Sequence, residues 1–175
     1  MRNPIPVPYQ RQRDNDSGEG WRECFSSSVA MVAMHWGAVA DDNAYNRRRE
    51  LYGDTTNPQA HVRALHSLGL RSAFRSDLRR AEVLAELAAG RPVPVGWLHQ
   101  GPSWSPRGGG HWSVLIGTTD TGLIVHDPFG DPDLIRGGWI PGRSGQSLRF
   151  SWRNFGPRWE VEGPGSGWGL LIRRA

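Results

Sequence analysis

The stretch GGHWSVLIGTTDTGLIVHDPFG, residues 109–130, decides the fold. His111–Gly117 and Leu123–Asp127 are two apolar runs, and Thr118–Gly122 between them carries the turn residues Asp120 and Gly122. Runs of this kind on either side of turn residues read as an antiparallel hairpin. With a five-residue loop, Asp127 faces Ser113 across the ladder, and His111 lies two residues further along on the same face. A carboxylate one diagonal away reaches an imidazole nitrogen. Shifting the loop by one residue would put the pair on opposite faces.

Working outward from the hairpin, helical periodicity governs the first half of the chain. In CFSSSVAMVAMHW (24–36), Phe25, Val29, Val32 and Trp36 fall at helical spacing, with Ala30, Met31, Ala33 and Met34 widening the apolar face and Gly37 as a stop. This helix is expected to be central and buried. Further helices are predicted over Asn57–Leu68 and Leu78–Ala89, each followed by a glycine, with a short one over Asp42–Leu51. After Gly90 the period changes, and Pro92–Leu98 reads as a strand with edge character at its prolines. Helices first and an antiparallel sheet second define an α+β domain. Residues 1–23 read as an extended lead-in. The whole chain, 1–175, is expected to form one domain with a core over about 5–135. The Gly/Trp-rich tail, 137–175, is expected to extend the sheet through strands at Ser147–Trp152 and Trp168–Ile172, its aromatics packed inward rather than facing a ligand.

Composition narrows the chemistry. A single cysteine excludes an internal disulfide framework and a multi-cysteine zinc site. All 21 basic residues are arginine, which removes lysine-based mechanisms such as Schiff bases or a P-loop. No apolar run approaches 18 residues, so no transmembrane segment is expected. Met1–Tyr9 hold three prolines and no apolar run, so no signal peptide is expected either. A net charge of +4 favours anionic partners. The arginines are scattered without interleaved aromatics, so a nucleic-acid partner is not expected.

Cys24 stands at the first turn of the central helix, where free N–H groups and the helix dipole favour a thiolate. Of the six histidines, His35 is expected to be packed in the core. His61 and His66, five apart, face different ways and make no metal pair. His99 stays a weaker candidate, and His126 should point away from Asp127 on its strand. His111, after Gly108-Gly109-Gly110 and opening a strand, is the candidate base, and Asp127 is its candidate partner. The backbone N–H of Cys24 can supply one oxyanion donor, and Gln10 or Gln12 the second.

Together, VPYQRQRDN (7–15), ECFSSSVAM (23–31), GRPVPVGW (90–97) and the 109–130 block resemble the C39-like branch of papain-fold cysteine peptidases, in the family's order of glutamine, cysteine, histidine and aspartate. The resemblance covers roughly residues 5–130. It implies Cys24 as nucleophile, His111 as general base and acid, and Asp127 as its orienting partner. The family's P-Y-x-x-Q pattern falls on Pro8, Tyr9 and Gln12, which selects Gln12 over Gln10 for the oxyanion. Phe25 and Ser26 stand where the family has glycine and proline. FSWRNFGPRWEVEGPGSGW (150–168) also resembles segments of lysin-type or tail-associated bacteriophage proteins.

The expected activity is hydrolysis of peptide bonds through an acyl-thioester, without metal or cofactor. The expected substrate is a peptide of bacterial peptidoglycan, with other phage structural proteins as candidate partners and a virion-associated or lysis-released location. The alternatives are a papain-like structural or wall-binding module of a phage tail, and an intracellular protein-processing peptidase.

Overall fold

In the computed structural model, which describes residues 3–175, the apolar stretch after Cys24 forms α1 (Cys24–His35), and every side chain from Phe25 to Ala33 is buried. Two shorter helices follow. In α2 (Asp42–Glu50) the Asp41 carboxylate caps the amide of Ala44, and in α3 (Pro58–Ser67) Asn57 caps Gln59 with Pro58 opening the helix. β1 (Leu70–Leu78) comes next. α4 (Arg80–Ala88) has Glu82 accepting from the Arg79 amide at 2.9 Å. Then come β2 (Val93–Trp97), β3 (His111–Thr119), β4 (Gly122–His126), a short ribbon of β5 (Asp131–Pro132) with β6 (Trp139–Ile140), β7 (Leu148–Ser151), α5 (Trp152–Trp159) and β8 (Gly167–Arg174).

Six strands form one antiparallel sheet in the order β1-β8-β2-β3-β4-β7. Phe25 of α1 stacks on Trp112, with centroids 3.6 Å apart, while Phe155 of α5 packs edge-on against Trp97 at 5.9 Å. Trp97 pairs with His111, and Trp112 is the next residue along that strand. Successive side chains alternate faces, so α1 and α5 cover opposite faces of the sheet. The extended lead-in is held as well: Ile5 and Val7 are buried, and the Ile5 amide donates to the Ile116 carbonyl at 2.7 Å.

Several expectations change on contact with the structure. β2 is an internal strand, not an edge. Its bonds to β8 are confined to Val95 and Gly96, so the ladder on that side demands no N–H from Pro94. The helix expected from Leu78 starts at Arg80, because Leu78 closes β1, a strand whose mixed polarity concealed it. The tail does more than lengthen an edge. β7 adds at the β4 edge, but β8 is inserted between β1 and β2, and an unforeseen helix, α5, joins the two. Its Arg158 is fully buried and donates to the carbonyls of Leu98, Gln100, Gly101 and Leu134, tying α5 to the segment that leaves β2. Phe150, Phe155 and Trp159 are core residues, as expected of packed aromatics, whereas Trp168 is 44% exposed. No described helix is long and apolar enough to cross a membrane.

Candidate active site

The β3–β4 hairpin carries the histidine and the carboxylate. Its turn is tighter than the sequence suggested: Thr119 pairs with Gly122, leaving only Asp120 and Thr121 in the loop. On its own that shift would throw Asp127 to the wrong face. A bulge between Leu115 and Gly117 absorbs one residue, so Leu115 pairs with Val125 and Val114 with His126, the register in which Asp127 comes opposite Ser113. The Ile116 carbonyl, at the bulge, is the one taken by Ile5. Bulge and tight turn cancel, and His111 and Asp127 share a face.

Asp127 is fully buried and each of its oxygens has two donors. Oδ2 accepts from His111 Nε2 at 2.8 Å and from Ser113 Oγ at 2.7 Å. Oδ1 accepts from the amides of Phe129 at 2.9 Å and Gly130 at 3.2 Å. Ser113 Oγ in turn accepts from Trp97 Nε1 at 2.9 Å. Four donors on a dry carboxylate hold it in one orientation. Because Nε2 is engaged, Nδ1 of His111 is the nitrogen left for a thiol.

Cys24, the first residue of α1, is half-buried and lines an open cleft of about 710 Å³, together with Gln12, His99, His111, Trp139 and Trp168. Its sulfur lies within interaction range of the His111 ring. Burial pulls the imidazolium of His111 down, but the Asp127 carboxylate and the Cys24 sulfur outweigh it and push its pKa up to about 10. Gln12 is 1% exposed and its Nε2 donates to the Gly20 carbonyl at 2.8 Å, which uses one of its two hydrogens; the other is free. The Gln12 amide is fixed to the Pro128 carbonyl at 2.9 Å, tethering the lead-in to the residue after Asp127.

The other histidines are accounted for. His61 is buried and bonded to Tyr45 and the Thr55 carbonyl, on a different face of α3 from His66, which meets Ser72. His126 points away from Asp127, its nitrogens bonded to the Val7 carbonyl and the Ser147 amide. His35 is only half-buried, unlike the core residue expected, because its Nδ1 reaches the Pro6 carbonyl at the surface. His99 faces the cleft with its ring 5.8 Å from His111, and burial, followed by the charge on His111, lowers its pKa. Among the described residues no group of three or more histidine, cysteine or acidic side chains is placed to hold a metal ion.

Sequence reading missed three contributors. Trp97 and Ser113 steady the carboxylate. Tyr9 donates to the Asp127 carbonyl at 3.0 Å and accepts from the Gly145 amide at 3.2 Å. Ser113 was already visible as the residue facing Asp127, and Tyr9 as a neighbour of Gln12. Nothing in the local sequence marks Trp97.

A helix whose first residue presents a thiol to a histidine and carboxylate on an antiparallel sheet is the architecture of papain-like cysteine peptidases. The chain belongs to the Peptidase_C39 like family, whose model matches residues 4–158. Solved structures share the fold. A C39-like peptidase from Bacillus anthracis is 16% identical with a TM-score of 0.66, covering 98% of this chain and 96% of that one. A double-glycine-motif protease from an AMS/PCAT transporter, solved with its leader peptide, is 14% identical with a TM-score of 0.60, covering 100% and 96%. The peptidase domain of Streptococcus ComA is 20% identical with a TM-score of 0.57, covering 89% and 93%. No curated protein matches the chain in sequence.

Proposed function

We propose that Cys24, His111, Asp127 and Gln12 carry out the hydrolysis of peptide bonds through an acyl-thioester. With the thiol's proton already held on His111 Nδ1, Sγ forms a bond to the carbonyl carbon. The free hydrogen of Gln12 Nε2 and the backbone N–H of Cys24 receive the oxyanion. Imidazolium then returns the proton to the nitrogen as the C–N bond breaks and the amine leaves. Water, deprotonated by the same ring, attacks the thioester, releasing the acid and restoring the thiol. Asp127 holds the tautomer and supports the charged ring. The observation that carries this reading is the 2.8 Å bond from His111 Nε2 to Asp127 Oδ2, with Cys24 against the same ring in an open cleft.

The substrate we propose is a peptide of bacterial peptidoglycan. Support comes from the net charge of +4 and from Trp21 and Trp168, which stand 71% and 44% exposed at the cleft. A place in a phage particle or its lysis programme goes with that substrate. Its support is the likeness of residues 150–168 to lysin-type and tail-associated segments. The test is incubation with defined wall fragments and with linear protein peptides, products being read by mass. Wild type should cleave wall peptides, and Cys24→Ala should lose at least about 10⁴-fold. Cleavage of linear peptides alone would redirect the substrate to proteins. Equal behaviour of wild type and Cys24→Ala would reduce the protein to a wall-binding shell.

A further inference from the structure

A second pocket, of about 400 Å³, shares a wall with the cleft and takes no part in the chemistry above. Its lining includes Arg11, Arg13, Arg143 and Tyr9, with Phe129 and Trp139 as the partition from the cleft. Three arginines line one small space, and little opposes them. Arg143 meets Asp131 at 3.4 Å, and among the described residues no carboxylate comes within ion-pair distance of Arg11 or Arg13. Arg13 is not loose. Its guanidinium lies over the Phe129 ring at 4.2 Å, a cation–π contact that seats it at the partition.

The pocket is also tied to the catalytic carboxylate. The Gly145 carbonyl accepts from the Asp127 amide at 2.8 Å, and Tyr9 joins the Asp127 carbonyl to the Gly145 amide. The His111 ring lies 6.5 Å from Phe129, and Phe129 lies 4.2 Å from the Arg13 guanidinium. At about 3.3 Å per extended residue, these distances bring the pocket within reach of a peptide side chain roughly three residues from the scissile bond.

We infer that this pocket is a carboxylate subsite, selecting substrates that carry an acidic side chain or a free terminal carboxylate close to the bond that is cut. Guanidinium groups bind carboxylates through paired N–H donors, a geometry a neutral amide does not reproduce. The inference rests on the proposed peptidase reading for its substrate, but binding at the pocket does not require turnover.

The test uses the full chain carrying Cys24→Ala and three probes: capped Gly-Glu-Glu-Gly amide, capped Gly-Gln-Gln-Gly amide, and Gly-Gln-Gln-Gly with its carboxylate free. One charged probe should bind roughly tenfold more tightly than the neutral one, and the advantage should shrink as salt rises from about 50 to about 500 mM. Which probe gains tells side chain from terminus. The advantage should vanish when Arg11→Gln and Arg13→Gln are added. Equal binding of all three probes, or an advantage that survives those two substitutions, overturns the inference. In parallel, the active protein with a randomised peptide pool should yield products enriched in Asp or Glu within three residues of the cut, an enrichment the two arginine substitutions erase. Probe discrimination without any cleavage would leave the subsite standing and remove the peptidase reading; cleavage with no acidic preference would do the reverse.

Discussion

His111 and His61 are both buried, at 4% and 0% exposure, yet their surroundings drive them to opposite charge states. Around His61 burial dominates; the Thr55 carbonyl compensates only in part, and its pKa is pushed down to about 3. His111 suffers the same desolvation, but the Asp127 carboxylate and the Cys24 sulfur overcome it and lift the ring to about 10. Burial alone makes a histidine a neutral packing element. A fixed carboxylate turns it into a group that takes and returns a proton.

The sharpest way to break this contrast is Asp127→Asn. The ring loses its tautomer and its charge support, and kcat should fall by about 10³–10⁴-fold, the scale of carboxylate loss in comparable triads. In the wild type, activity should decline at the alkaline end only as pH climbs through about 10. In the variant only the Cys24 sulfur still opposes burial at His111, so that limb should shift acidward, read from kcat/KM against pH. An alkaline limb that stays put would mean another group sets it. The stability linked to His111 has the same sign: present below its ordinary value of 6.5 and lost as pH rises from there through about 10.

His61 gives the opposite slope. Its pKa is lowered in the folded state, so its contribution is intact above 6.5 and lost as pH falls from there towards about 3. The loss is at most about 1.4 kcal/mol per pH unit. His61→Asn should flatten that part of the stability curve, measured by urea unfolding at about pH 7 and about pH 4.5. Ser113→Ala sharpens the picture more gently. It removes one donor to Asp127 and leaves the Trp97 N–H without an acceptor, for a loss in kcat of about tenfold. Trp97→Phe removes the N–H and part of a buried indole, leaving a cavity among Phe150 and Phe155. It should change kcat by less than about threefold and cost about 2 kcal/mol of stability.

What could be read in the sequence was whatever physics writes locally. The run after Cys24 is apolar over most of its circumference and could only be a buried helix. The two apolar runs around Asp120 and Gly122 could only be a hairpin. The register that brings His111 to Asp127 was reached through a five-residue loop, whereas the chain reaches it through a two-residue turn and a bulge at Ile116. A bulge leaves no mark in residue types, because it depends on what lies across the strand. α5 was hidden by Gly156 and Pro157, both poor helix formers, and is held by Ser151 at its start and by Arg158 in the core. β1 was hidden because it has no alternating pattern and takes its order from β8. Gln12 emerged by likeness to a family, since geometry alone left it level with Gln10; the structure sets Gln12 in the cleft wall.

β8 enters the sheet between strands laid down some seventy to a hundred residues before it, and it is the sole neighbour of β1. Contacts this distant in sequence form late. While residues 167–174 are still inside the ribosome, β1 lacks its partner and Trp168 is missing from the cleft wall. A chain halted before Gly167 should therefore neither fold cooperatively nor hydrolyse a peptide, because the strand that closes its sheet is the last to be made.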